Sequence, residues 1–99
     1  MGTSDLRIIS RKAIREFGRK HSDAVAALDT WAFLVKNADW KNFADLRDTF
    51  RDADLVGDKI IFNIARNRYR LIAWVAWRAR KVFIKAILTH REYDKEGWK

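Results

Sequence analysis

A chain of 99 residues, 48% of them hydrophobic, supports one domain with a single modest core and leaves no room for a cleft between domains. The absence of cysteine excludes disulfides, thiolate nucleophiles and cysteine-ligated zinc together; no apolar run approaches the roughly 18–20 residues of a membrane span, and no signal-peptide pattern opens the chain, so a cytoplasmic protein is expected. The formal net charge of +8 is unevenly spread: residues 1–54 hold 10 basic and 9 acidic side chains (net +1), residues 55–99 hold 11 and 4 (net +7). A field concentrated in one half attracts a polyanion.

In chain order, Leu6-Arg7-Ile8-Ile9 is a short β-like run, stopped by Ser10, a good N-cap. Arg11 to about Lys20 reads as a helix with Ala13, Ile14 and Phe17 on one face and Gly18 near its end. Ser22-Asp23 caps a second helix whose Val25, Leu28, Trp31, Ala32 and Val35 recur at helical spacing, a core stripe uninterrupted by polar ligands. From Asp39 to Phe50 a loop leads into a short third helix, capped by Asn42, with Phe43, Leu46 and Phe50 inward. The acidic string Asp45 to Asp54 lacks EF-hand spacing and reads as helix surface.

From Val56 the period changes from 3.6 to 2, and Lys59–Ala65, Arg68–Trp77 and Val82–Thr89 read as three strands. A two-residue turn at Arg66-Asn67 sets Ile64 opposite Tyr69, Phe62 opposite Leu71 and Ile60 opposite Ala73, an apolar face for the helices. The other face then pairs Asn63 with Arg70. If Val82, Ile84, Ala86 and Leu88 join the core face, Phe83, Lys85, Ile87 and Thr89 fall on the polar side, with Arg70 opposite Ile87 or Thr89. The pattern predicts an α+β domain spanning residues 1–99, with N-terminal helices packed on one face of a small antiparallel sheet.

The polar face collects Asn63, Arg70, Lys85 and Thr89, edged by Arg66 and Arg68 and shared with Trp74 and Phe83. Cations beside exposed aromatics suit single-stranded RNA, which needs phosphate contacts and flat surfaces for stacking. Equally, the aromatics pack under a partner or under a terminal cover such as Trp98. An anionic membrane fits less well, because these cations sit on strands and turns and not along one helix face. Just past the last strand, Thr89-His90-Arg91-Glu92-Tyr93-Asp94 groups an imidazole, a phenol and two carboxylates. Metal-free RNA cleavage by the 2′-hydroxyl needs a general base, a general acid and a cation for the phosphorane, roles that His, Tyr, Arg and Lys fill. No phosphate loop, metal-ligand spacing or cofactor pattern occurs.

Four strings carry a resemblance. The opening Arg7-Ile8-Ile9-Ser10-Arg11, the string Ala38-Asp39-Trp40-Lys41, the hairpin Ile61-Phe62-Asn63-Ile64 with Asn67-Arg68-Tyr69-Arg70-Leu71, and the ending Thr89-His90-Arg91-Glu92-Tyr93-Asp94-Lys95 follow one another as in HigB-type toxins. The chain resembles that family from Leu6 to Lys95. The resemblance implies a RelE-like fold and an endoribonuclease that cuts ribosome-bound mRNA and is held inactive by a HigA-like antitoxin. It also implies His90 as leading acid or base, Tyr93 or Asp94 as its helper, Arg70 and Lys85 on the scissile phosphate and Asn63 positioning it. Lys85 stands where relatives often carry Arg, which keeps the charge and loses the bidentate fork. Trp74 and Trp77 add bulk to their strand, and Met1 to Asp5 precede the usual start as a cloning remnant or an extension. Two other readings remain open: a ParE-like toxin that binds a topoisomerase, and a noncatalytic basic RNA-binding protein.

Overall fold

Alternating side chains from Lys59 onward build the centre of the sheet. In the computed structural model, which describes residues 6–95 and 97–99, β3 (Lys59–Ile64) and β4 (Tyr69–Ala76) pair antiparallel in the register that the alternation predicts. Ile60, Phe62, Ile64, Tyr69, Leu71 and Ala73 all face one side and are all buried. Ala65, Arg66 and Asn67 turn the chain at φ 54°, 55° and 76°, and the Arg68 N–H closes the turn on the Ala65 carbonyl at 3.2 Å. The reading of residues 1–5 as a remnant or extension lies outside the described residues.

Three strands flank this hairpin in the order β1-β5-β4-β3-β2. β5 (Lys81–Thr89) pairs with β4, but its register changes part-way: Ala73 faces Ile84 while Ile72 faces Ala86. Lys85 is therefore one residue too many on its strand, a β-bulge. Beyond it the faces exchange relative to expectation. Ile87 opposes Leu71 and packs on the core, Thr89 opposes Tyr69, and Arg70 opposes Leu88, neither Ile87 nor Thr89. Ile84-Lys85-Ala86-Ile87-Leu88 carries apolar residues at both parities, so alternation alone does not register an inserted residue.

The expected antiparallel sheet is mixed. β1 (Arg7–Ile9) lies parallel to β5, with Ile8 opposite Val82, because the helices carry the chain across before it returns. At the other edge, β2 (Asp54–Val56) pairs with β3 through a two-residue loop in which Gly57 takes φ 64°. The acidic string thus ends in a strand, since Asp54 already belongs to the ladder.

The helical layer is α1 (Arg11–Lys20), a 3₁₀ turn (Ser22–Ala24), α2 (Val25–Lys36) and α3 (Phe43–Thr49). Leu28, Trp31, Ala32 and Val35 are buried, whereas Val25, expected in the same stripe, is exposed at the first turn. Gly18 lies inside α1, where a Cβ would come within 3.1 Å of the Val25 side chain. Phe62 takes Trp31 and Phe50 edge-on, at centroid distances of 5.4 and 5.0 Å. Asn42 caps α3, its side chain accepting from the Asp45 N–H at 2.9 Å. Arg80, in the β4–β5 turn, donates to the Trp40 carbonyl and to Asp39, both at 3.0 Å, and so ties sheet to helices. Among the described residues no helix is long and apolar enough to cross a membrane.

A second tie joins the start of the helical pair to β4. The Asp23 carboxylate accepts from the Tyr69 hydroxyl at 2.6 Å and from Arg68 at 2.7 Å. The Tyr69 hydrogen bond first, and Arg68 next, hold the Asp23 carboxyl below its ordinary range; the same bond pushes the Tyr69 phenol up. A depressed carboxylate stabilises the fold above its unfolded pKa, and the contribution disappears as pH falls through the folded value. The thermal midpoint should therefore fall as pH drops below about 4, the ordinary carboxylate value, and Asp23→Asn should lower the neutral-pH midpoint while flattening that acid slope. The change is small, because Asp23 and Arg68 are exposed to solvent. Thermal melts of both proteins across this range provide the check; identical slopes would remove Asp23 from the account.

Candidate functional site

The sheet face turned away from the helices begins with a contradiction of ordinary two-layer packing: Ile61 and Ile72, paired across β3 and β4, are 3% and 0% exposed there. The chain after β5 covers this side. Its first element, α4 (His90–Asp94), packs against β4 and β5. The helix is nucleated by a capping box: the Thr89 hydroxyl accepts from the Glu92 N–H at 3.2 Å, and the Glu92 carboxylate accepts from the Thr89 N–H at 2.9 Å. The Thr-x-x-Glu spacing is the sequence signal for this helix, and it assigns Thr89 and Glu92 a structural task.

One turn of α4 then aligns the reactive groups. His90 and Asp94, four residues apart, meet with Nδ1 and the carboxylate oxygen at 3.0 Å, both well exposed. A carboxylate only accepts, so it favours the imidazole with its proton on Nδ1 and leaves the Nε2 lone pair toward solvent. Tyr93 points to the sheet and lies beneath the Arg70 guanidinium, 5.3 Å from the ring centroid. Arg70 is oriented further by donating to the Asn67 carbonyl at 2.8 Å and, more weakly, to that of Tyr69 at 3.3 Å. Trp98 also stacks on Tyr93, at 4.9 Å and 12°, and its indole N–H donates to the Tyr93 carbonyl at 2.8 Å. The expected cover is therefore part of the site's frame.

The remaining sequence candidates separate. Lys85, on the bulge, lines a groove with Trp74 and Trp98, and Trp74 rests on Phe83 at 5.5 Å. Asn63 faces the same side as Arg70 but donates to Asp52, at 3.0 Å to its carboxylate. Arg66 stands exposed at the hairpin tip. Arg68 reaches the helical layer and Asp23, and Thr89 opposes Tyr69 on the helix side, so neither joins the face that carries Arg70. Sequence reasoning did not include Asp58 and Lys59, which enter the Trp74 groove from the β2–β3 loop. The missing signal was β2 itself, too short to show alternation.

The family model for HigB toxins, the RelE-like toxic component of a toxin-antitoxin system, matches residues 24–96. The chain belongs to the HigB toxin family. Its similarity extends to the mRNA interferase HigB of Escherichia coli O6:H1, at 27% identity over 91% of this chain and 90% of the relative. The mRNA interferase toxin HigB of Escherichia coli K12 and the mRNA interferase HigB of Shigella flexneri are each 24% identical, covering 90% of this chain and 88% of theirs. The strings that resemble HigB toxins fall at structural junctions as well as at the candidate site. Asp39 and Trp40 receive Arg80, and Trp40 is 2% exposed with its indole N–H on the Thr49 hydroxyl at 3.1 Å.

In this HigB-family chain the cap governs the position of His90 and Tyr93. Thr89→Ala should cost about 1 kcal/mol of stability, within the range of about 0.5–2 kcal/mol for a lost N-cap. It should also speed amide exchange across residues 90–94 while leaving β3 and β4 protected. Urea titration and hydrogen exchange by NMR measure the two effects. Unchanged exchange in α4 would mean that the cap does not hold the helix.

Proposed function

We propose that this toxin is an endoribonuclease that cuts mRNA on the ribosome by attack of a 2′-hydroxyl, without a metal. The observation that carries the reading is the His90–Asp94 pair, set on the same helical turn as the Tyr93 ring under Arg70. His90 Nε2 takes the proton of the attacking 2′-hydroxyl and returns it to the departing 5′-oxygen. Asp94 orients the ring and stabilises its charged form, as a carboxylate does behind any catalytic imidazole. Arg70, with two backbone carbonyls fixing one end of its fork, turns its other donors to the phosphate, and Lys85 adds charge from the bulge. Attack forms the bond from the 2′-oxygen to phosphorus and breaks the bond to the 5′-oxygen. The products are a 2′,3′-cyclic phosphate and a free 5′-hydroxyl. Asn63, Arg66 and Trp74 extend the contact along the message.

The relatives' activity as mRNA interferases supports the substrate, and the family's place in toxin-antitoxin systems supports a protein partner, here a HigA-like antitoxin. It binds the basic face or the flanking helix α2, where Val25 and Phe33 stand 42% and 66% exposed. Co-expression with a neighbouring helix-turn-helix gene should restore growth, and failure of every neighbour to do so would count against the pairing.

The decisive experiment is cleavage of a translated message, with cuts located by primer extension. His90→Gln should fold normally, being exposed on α4, and should lower cleavage by about 10²-fold or more, the worth of a positioned acid or base. Arg70→Ala should reduce both rate and RNA affinity. Cleavage by the wild type should persist in EDTA on a ribosome-free RNA. A His90→Gln protein that cleaves at the wild-type rate removes the imidazole from the mechanism. Growth arrest by a wild type that cuts no message would move the ParE-like reading ahead.

A further inference from the structure

Between the β2–β3 loop, β4, the bulge of β5 and the chain end lies a groove of about 510 Å³, lined by Asp58, Lys59, Trp74, Lys85 and Trp98. Its walls are two indoles from distant parts of the chain. Trp74 is 37% exposed and backed by Phe83. Trp98 is fixed from behind by the stack and hydrogen bond to Tyr93. Ile72, two residues earlier on the same face, is fully buried, whereas Trp74 is left partly in water. Lys99 also lies over the Trp98 ring, its Nζ 5.9 Å from the centroid. Partly exposed aromatics beside cations are platforms for unpaired bases.

The charges sharpen the choice of ligand. Lys59 and Lys85 attract phosphate, but Asp58 stands in the same groove and repels it. Asp58 is 74% exposed and only loosely paired to Lys59 at 3.6 Å, so its oxygens retain acceptor capacity. A group that fits a carboxylate, two indoles and lysines at once is a neutral aromatic ring bearing N–H donors and flanked by phosphates: a nucleobase within a strand. Of the four RNA bases, guanine alone offers two adjacent donors, N1–H and the 2-amino group, on one edge for a carboxylate to accept together. The groove also continues the site described above, because Tyr93 contacts both Arg70, at 5.3 Å, and Trp98, at 4.9 Å.

We infer that this groove is a subsite for one unpaired guanine, stacked against Trp74 and Trp98 and read by Asp58, next to the phosphate held by Arg70. The inference rests on reading this face as an RNA surface, and does not depend on cleavage. Lys85 and Lys59 hold the flanking phosphates, and the bulge supplies the aim of Lys85, as bulges commonly do.

The test uses the full chain and short uridine-rich 2′-O-methyl oligoribonucleotides, which cannot be cleaved. Each carries one guanine, adenine, cytosine or abasic position, and affinity is read by fluorescence anisotropy. The guanine strand should bind about tenfold tighter than the abasic one, the size of a single base stack. Trp74→Ala should erase that difference and Trp74→Phe restore part of it, with circular dichroism verifying the fold. Asp58→Asn should keep the advantage of a base over an abasic site but lose the preference for guanine over adenine. If guanine binds no better than the other bases, or if Trp74→Ala and Trp98→Leu leave the profile intact, the subsite is wrong while RNA binding by the face still stands. No binding of any strand overturns both readings.

Discussion

The ladder between β4 and β5 carries one extra residue, Lys85, and the arrangement of the open face depends on it. A bulge interrupts two-residue alternation, so the strand leaves it with its faces exchanged. Ile87 then completes the helix-side core below Leu71, and Thr89 ends the strand opposite Tyr69. From there the capping box turns the chain into α4, which packs against β4 and β5. The same inserted residue frees Lys85 from opposing any neighbour. One extra residue thus sets both the placement of α4 and a cation of the groove.

Charge in this molecule divides into cations that build and cations that remain available. Arg68 and Arg80 hold carboxylates of the helical layer, Asp23 and Asp39, at 2.7 and 3.0 Å. They fasten the hairpin tip and the β4–β5 turn to the helices on either side of the core. Arg70 is different: its fork is anchored on main-chain carbonyls, neutral partners, and no ion pair offsets its charge among the described residues. Anchoring of that kind keeps the guanidinium oriented before any substrate arrives, so less freedom is lost on binding. The net charge of the second half therefore overstates the field at the face, and the geometry of a few side chains matters more than the total.

Most of the scaffold was legible because it rests on periodicity. The stripe Leu28, Trp31, Ala32, Val35 and the facing pairs of β3 and β4 each repeat often enough to declare a helix face and a register. Features made by a single residue or a very short run escaped. The bulge hides among apolar neighbours of both parities; β2 has three residues; the parallel placement of β1 is a consequence of the path of the whole chain. At the site, the ending that contains His90, Tyr93 and Asp94 was visible as a cluster of chemical types, and their helical spacing turned the cluster into two contacts. Thr89 and Arg68 look identical to ligand-binding residues in sequence, yet their hydrogen bonds tie local structure together. Distinguishing the two requires knowing where the partner carboxylates lie, and Asp23 is 45 residues away from Arg68.

The outermost strands, β1 and β2, are three residues each, with exposed Arg7 and Asp54 at their starts. Strand borders that brief give a neighbouring molecule almost no main-chain template to extend, and like charge across a population of +8 chains discourages approach. Copies at high concentration are thus poorly suited to zipping into a continuous fibre, even with indoles showing on their surfaces. Any protein partner meets the same limit: it must grip side chains and contours, because the backbone margins have little to lend.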